Sequence, residues 1–109
     1  MGKKRKMSKG LEKLIRKAVM DVQRELIREY NIAADAEAKH PKAVEKEFNK
    51  WLEKTKRAIA FWHVVGKLPL ERAAFKELSR LTELSGSEAR KEKPDGIKVA
   101  AIRRVIAVI

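Results

Sequence analysis

The most constraining feature of this sequence is the spacing of apolar residues in its first third. They recur every three or four positions, which is the repeat of one helical face and not of a strand. Ser8 stands where a side-chain oxygen can cap a helix, and Asn31 stands where a left-handed residue can end one. The pattern predicts a first helix over residues 9–30, and the alanine-rich residues 31–40 either continue it or form a short helix. The apolar set is Leu11, Leu14, Ile15, Ala18, Val19, Val22, Leu26, Ile27 and Tyr30.

Prolines and glycines divide the rest of the chain into further segments. Pro41 disfavours helical geometry at the preceding residue and suits the first turn of a new helix, and Pro69 repeats that arrangement. Gly66 and Gly86 stand where glycines commonly end helices. The segments predicted in this way are helices over 41–65 and 69–85 and one exposed loop, a candidate hinge, over 86–96.

The final segment, IKVAAIRRVIAVI, is rich in β-branched residues, which favour strands. Its apolar residues nevertheless share one helical face, and this periodicity favours a helix over residues 97–108. Because the segment ends on Ile109 without a polar tail, we expect its end to be buried in the core or against a neighbouring subunit. The fold class predicted is therefore all-α, a small helical bundle of about four helices over residues 9–109, preceded by a basic N-terminal arm over residues 1–8.

The residue inventory argues against catalysis. The chain has no cysteine, which excludes disulfides, thiolate nucleophiles and cysteine-based zinc sites. Its serines and its two histidines, His40 and His63, lie in no nucleophile or phosphate-loop pattern. Glu37 and His40 have the spacing of half a di-iron motif, but a second copy is absent, so we interpret them as surface residues. We predict a protein that is not an enzyme, with no cofactor, no metal site and no small-molecule substrate.

Positive charge is the strongest functional signal in the sequence. The net charge is +12, and such an excess destabilises a compact monomer through self-repulsion unless a partner neutralises it. The excess lies mainly in residues 1–10, 51–70 and 91–109. KKRK in the first of these fits a nuclear address, a membrane-surface patch or a nucleic-acid arm. A nucleic-acid partner accounts for all three regions, and an address accounts for only the first.

A row of basic residues follows helical spacing in the second predicted helix. Its members are three or four positions apart, so they share one side over about 22 Å, enough to meet several phosphates of a duplex. The alternative is a solvated face balanced by nearby glutamates. Trp51 and Trp62 could stack on bases, but their places on the apolar stripe favour core packing. The residues predicted to bind nucleic acid are Lys3, Lys4, Arg5, Lys6, Lys9, Lys42, Lys46, Lys50, Lys54, Arg57, Arg103 and Arg104.

Three functions fit this charge pattern. The first is packaging of duplex DNA by a viral nucleocapsid or chromatin-like subunit, through phosphate contacts without sequence specificity, since no base-reading set is evident. The second is a ribosomal or other ribonucleoprotein component that binds RNA, and the third is a helical adaptor whose basic arm is a targeting address. In architecture alone, a basic arm followed by apolar-striped helices resembles the coat proteins of filamentous archaeal viruses, which wrap DNA, although no residue motif carries the comparison.

Further expectations concern association and location. We expect self-association through the apolar helix faces and the C-terminus. No apolar run approaches the roughly 20 residues that span a bilayer, and no signal-peptide stretch follows the basic start, so we expect no membrane partner and no secretion. The predicted location is intracellular and nucleic-acid-associated, or within a virion. Scarce Asn and Gln beside 17 Lys and 12 Glu are typical of thermophile proteins.

Overall fold

The computed structural model of this chain describes residues 7–109, which form four α-helices and no strand. The prediction of a small all-α bundle is therefore confirmed. Four residues of the predicted arm, Lys3, Lys4, Arg5 and Lys6, lie outside the described residues. None of the four helices is both long and apolar enough to cross a bilayer. The helices are α1 (Lys9–Lys39), α2 (Pro41–Val64), α3 (Leu70–Ala89) and α4 (Gly96–Val108).

Helix α1 begins as predicted and does not end at Asn31; it continues through the alanine-rich segment, which was one of the two predicted alternatives. The Leu11 amide donates a hydrogen bond to Ser8 Oγ at 3.2 Å, which satisfies one of the amides left open at a helix start. The helix continues through the alanine-rich segment because Ala33 and Ala36 are buried in a cluster with α4. It breaks at His40, where φ is −134° and ψ is 52°, directly before the proline that begins α2.

Helix α4 lies at the centre of the bundle and contacts all three other helices. Its buried residues include Val99, Ala101 and Ile102, so its β-branched side chains fill a core in helical geometry and the helix prediction is confirmed. The Asp95 side chain caps the helix by accepting a hydrogen bond from the Lys98 amide at 3.2 Å. Packing on several sides therefore decides the conformation of a segment whose intrinsic preference is for strand.

Helix α3 continues past the glycine that was predicted to end it. Residues 86–89 are helical, and Ser85, Glu88 and Ala89 are buried, so the prediction of an exposed loop over residues 86–96 is wrong in its first turn. Burial of that turn against the bundle offsets the cost of about 1 kcal/mol that a glycine adds inside a helix. The connection that remains, residues 90–95, is a short turn before the cap of α4.

The turn between α2 and α3 uses an unexpected residue in the left-handed region. Lys67, and not Gly66, has a positive φ of 54°. Gly66 is required for a different reason, because a Cβ there would lie 2.7 Å from the carbonyl oxygen of Trp62. A ring nitrogen of His63 lies 2.8 Å from the Leu68 carbonyl oxygen and holds the turn against the end of α2.

The molecule is extended because much of α1 reaches beyond the core. The radius of gyration is 17.8 Å, against about 13 Å for a compact domain of this length. Residues 9–28 contain no buried residue, whereas residues 29–36 enter the core. At the other end of the chain Val108 and Ile109 are exposed, so burial of the C-terminal residues in the core is wrong. Burial against a second subunit stays a prediction.

Candidate nucleic-acid interface

The predicted row of basic residues lies on the exposed side of α2. The opposite side carries Val44 and Thr55, which are buried in the bundle and fix the rotation of the helix about its axis. Because side chains three and four positions apart lie one above another, the basic residues share the solvent side over about 22 Å. All five are exposed: Lys42, Lys46, Lys50, Lys54 and Arg57.

Part of this row borders a groove between α2 and the first turn of α4. The groove has a volume of about 530 Å³. Its apolar surface comes from Ala43, Ile97 and the half-buried Trp51. Four lysines line it, and they are Lys46, Lys50 and Lys54 of α2 and Lys98 of α4. We call this feature the lysine groove.

Trp51 connects the two helices that form the groove. It packs against the buried cluster of Leu81, Ile102 and Val105, which anchors the ring from below. Lys54 Nζ lies 5.0 Å and Lys98 Nζ 5.8 Å from its ring centroid, within range of a cation–π contact. The ring therefore orients two ammonium groups from different helices at the groove. It also packs against the core, as its place on the apolar stripe predicted.

The acidic residues near the groove neutralise only part of its charge. Glu47 lies 3.5 Å from Lys50 Nζ, and the Asp95 carboxylate is used to cap α4. Glu53 pairs with Lys56, which is not a member of the row, at 3.0 Å. Four members of the row form no salt bridge with any carboxylate of residues 7–109, and these are Lys42, Lys46, Lys54 and Arg57.

The buried carboxylate of Glu88 holds Lys98 at the groove. The pKa of Glu88 lies below its usual value, chiefly because Lys91 donates a hydrogen bond to it at 3.0 Å and because the Asp95 amide donates another at 3.2 Å. Lys98 Nζ approaches the same carboxylate at 3.4 Å and acts in the same direction. Glu88 thus stays ionised, ties residues 91–95 to α3, and positions one groove lysine.

Lys98 was not among the residues that sequence reasoning selected. It lies 44 positions after Lys54, and no spacing rule joins the two. Only the packing of α4 beside α2, with Trp51 between them, brings its ammonium group to the groove. The sequence does place Lys98 three residues after Asp95, a typical N-cap residue, and therefore in the first turn of the last helix.

The two arginines predicted to bind nucleic acid have carboxylate partners on α1. Arg103 Nη1 lies 2.7 Å from Glu29 Oε2, and Arg104 Nη2 lies 2.7 Å from Glu37 Oε2. Both arginines are half-buried and fasten α4 to α1. Lys9, the first residue of α1, is exposed and does not line the lysine groove.

The described residues hold no group of three or more side chains suited to a metal ion. Glu37 and His40 have the spacing of half a di-iron motif, but the Glu37 carboxylate pairs with Arg104 and His40 is exposed at the break between α1 and α2. Trp62, the second tryptophan, has Lys76 Nζ 3.8 Å from its ring centroid and lies apart from the groove. The lysine groove is therefore the strongest candidate site in residues 7–109.

Comparison of this chain with protein-family models, with curated proteins and with solved structures finds no match.

Proposed function

We propose that this protein binds nucleic acid without catalysis and coats duplex DNA through phosphate contacts at the lysine groove. The observation that carries the proposal is the convergence of Lys46, Lys50, Lys54 and Lys98 on one exposed groove, to which residues 7–109 contribute two carboxylates, Glu47 and Asp95. Two of these lysines, Lys46 and Lys54, form no salt bridge within residues 7–109, so their ammonium groups are available to neutralise phosphates and release the counterions of a polyanion. A packaging subunit of a virion or of chromatin is the biological role that such binding serves.

Contacts between lysines and phosphates favour binding that does not depend on the base sequence of the nucleic acid. An ammonium group is a compact point charge that meets phosphate oxygens, and phosphate contacts position a protein without reading bases. Trp51, the aromatic side chain in the apolar surface of the groove, has two lysines within cation–π range of its ring and therefore serves to position charge. Affinity is thus expected to depend on salt more than on base composition.

The salt dependence of binding tests this proposal. If five of the basic side chains each neutralise one phosphate, a plot of log affinity against log salt concentration has a slope near −4.5 on duplex DNA. Fluorescence anisotropy with a labelled duplex measures it, and a second duplex of different base composition should give the same slope. A slope shallower than about −1 would exclude a phosphate-binding groove.

The same titration distinguishes DNA from RNA. A structured RNA of equal length is the competitor, because it offers the same phosphates in a different groove geometry. Tighter binding to duplex DNA, saturating along its length, supports packaging. Tighter binding to the RNA assigns the groove to a ribonucleoprotein.

A further inference from the structure

A second row of basic residues lies along one side of α1. Its members are four, seven and four positions apart in the sequence, so all of them fall within about 60° around the helix axis. From its first to its last member the row runs about 22 Å, the same length as the basic row on α2. We call it the α1 basic row, and it consists of Lys13, Lys17, Arg24 and Arg28.

The α1 basic row faces solvent. All four side chains are exposed, and the buried residues of the helix, Glu29, Ala33 and Ala36, lie on its other side. None of the four forms a salt bridge with a carboxylate of residues 7–109, and Asp21, which lies among them, forms none either. This side of α1 therefore keeps an excess of positive charge, which attracts polyanions.

The row ends at an open groove beside the turn that precedes α4. The groove has a volume of about 540 Å³. Arg28 Nη2 donates a hydrogen bond to the Lys91 carbonyl oxygen at 3.4 Å, which holds this guanidinium group beside the turn. We call this feature the arginine groove. Its charged and apolar lining consists of Arg24, Arg28, Asp35, Ile27, Ile32 and Pro94.

The arginine groove is continuous with the lysine groove. Between them, at the start of α4, lies a middle groove of about 390 Å³. The middle groove shares Ile32, Asp35 and Pro94 with the arginine groove, and it shares Asp95 and Ile97 with the lysine groove. The three grooves therefore form one surface depression that leads from α1 past the first turn of α4 to α2.

The two carboxylates of the middle groove already have partners. Asp35 lies 3.2 Å from Lys39 Nζ, and Asp95 Oδ1 accepts a hydrogen bond from the Lys98 amide at 3.2 Å. The positive end of the α4 helix dipole also lies here, because Gly96 is the first residue of that helix and lines the groove. A polyanion that crosses the middle groove therefore meets little uncompensated negative charge.

We propose that a duplex bound at the lysine groove also crosses the middle groove and reaches the arginine groove, where Arg24 and Arg28 contact its phosphates. The arrangement rests on the proposed function, since it presumes that the lysine groove holds DNA. A guanidinium group binds a phosphate through two parallel hydrogen bonds, so the arginines add contacts that are more directional than those of the lysines.

The continuity of the depression favours one duplex over two separate ones. The two backbones of a duplex border grooves about 6 and 12 Å wide, so neighbouring basic sites on a protein can reach phosphates of the same molecule. The site is then larger than the lysine groove, and its arginine end lies on α1, more than 20 positions before Lys46 in the sequence.

Replacement of the two arginines tests the second contact. Arg24→Gln with Arg28→Gln should weaken binding to one labelled duplex about 30-fold at about 0.15 M salt and make the slope of log affinity against log salt shallower by about 1.8. Because Arg28 also holds the turn at Lys91, Arg24→Gln alone is the second variant. It should make the slope shallower by about 0.9 and leave urea denaturation unchanged.

The matched control removes two arginines outside the depression. Arg16 on α1 and Arg72 on α3 are exposed and line none of the three grooves. Arg16→Gln with Arg72→Gln lowers the net charge by the same amount and should keep nearly the native slope. An equal loss in the control and in the Arg24, Arg28 variant would overturn the second contact.

Two further comparisons separate this proposal from the proposed function. If substitutions in the lysine groove weaken binding and Arg24→Gln with Arg28→Gln does not, the second contact is wrong and the lysine groove stands. If neither set weakens binding, the proposed function fails as well. Energy transfer between two differently labelled duplexes detects bridging. Loss of that transfer in the Arg24, Arg28 variant, with native affinity for a single duplex, would assign the arginines to a second duplex and overturn the single path.

Discussion

Replacing Lys46, Lys50 and Lys54 together by glutamine is expected to weaken binding to duplex DNA about 100-fold at a salt concentration of about 0.15 M. The three side chains line one groove and are exposed, so each can meet a separate phosphate. Losing three phosphate contacts should also make the slope of log affinity against log salt shallower by about 2.7. Fluorescence anisotropy over a salt series measures both quantities. Because glutamine suits an exposed helix position, the free energy of unfolding should change little.

A second triple variant controls for net charge. Lys39→Gln, Lys56→Gln and Lys67→Gln remove the same charge from exposed positions outside the groove. This variant should lose much less affinity and keep nearly the native slope. Equal losses in the two variants would mean that binding depends on the overall charge of +12 and on no particular site.

Replacing Arg103 by alanine is expected to lower the free energy of unfolding by about 3 kcal/mol and to leave DNA binding unchanged. Glu29, its partner at 2.7 Å, is only 8% exposed and would retain just the hydrogen bond from Ser85 Oγ at 2.8 Å. A buried carboxylate without its cation is costly, and the loss of the arginine also removes its packing near Tyr30. Urea denaturation followed by circular dichroism measures the effect.

The matched control for this variant is Arg103→Ala combined with Glu29→Gln. The neutral amide needs no cation, so the double variant should recover part of the lost stability. The opposite result would be an Arg103→Ala chain that unfolds at the same urea concentration as the native chain but has a slope of log affinity against log salt shallower by about 0.9. That result would assign Arg103 to the nucleic-acid interface and not to the contact between α1 and α4.

The sequence allowed the helices to be predicted because each carries a long apolar stripe. Helix ends predicted from single residues were wrong where the packing of small or polar residues decides how far a helix continues. Asn31 stays helical because Ala33 and Ala36, weak signals in a pattern of large apolar residues, are buried against α4. Gly86 stays helical because the turn after it is buried. Both differences arise from tertiary burial, which local propensity does not contain.

Some residues of the candidate site could likewise be predicted from the sequence, and others depend on how the helices pack. The row from Lys42 to Arg57 could be predicted because its members repeat along one helix. Lys98 could not, since its place beside Trp51 depends on how two distant helices pack. Arg103 was selected for its charge, and its partner Glu29, 74 positions earlier, could be known only from the fold.

The most direct test of the lysine groove is a map of the residues that contact DNA. Backbone amide chemical shifts of the isotope-labelled chain, followed by nuclear magnetic resonance during titration with a short duplex, provide it. Binding of DNA at the lysine groove should produce the largest changes at Lys46, Lys50, Lys54 and Lys98, together with the indole N–H of Trp51, and small changes at Arg103. Changes confined to residues outside the groove, with the Trp51 indole unmoved, would contradict it.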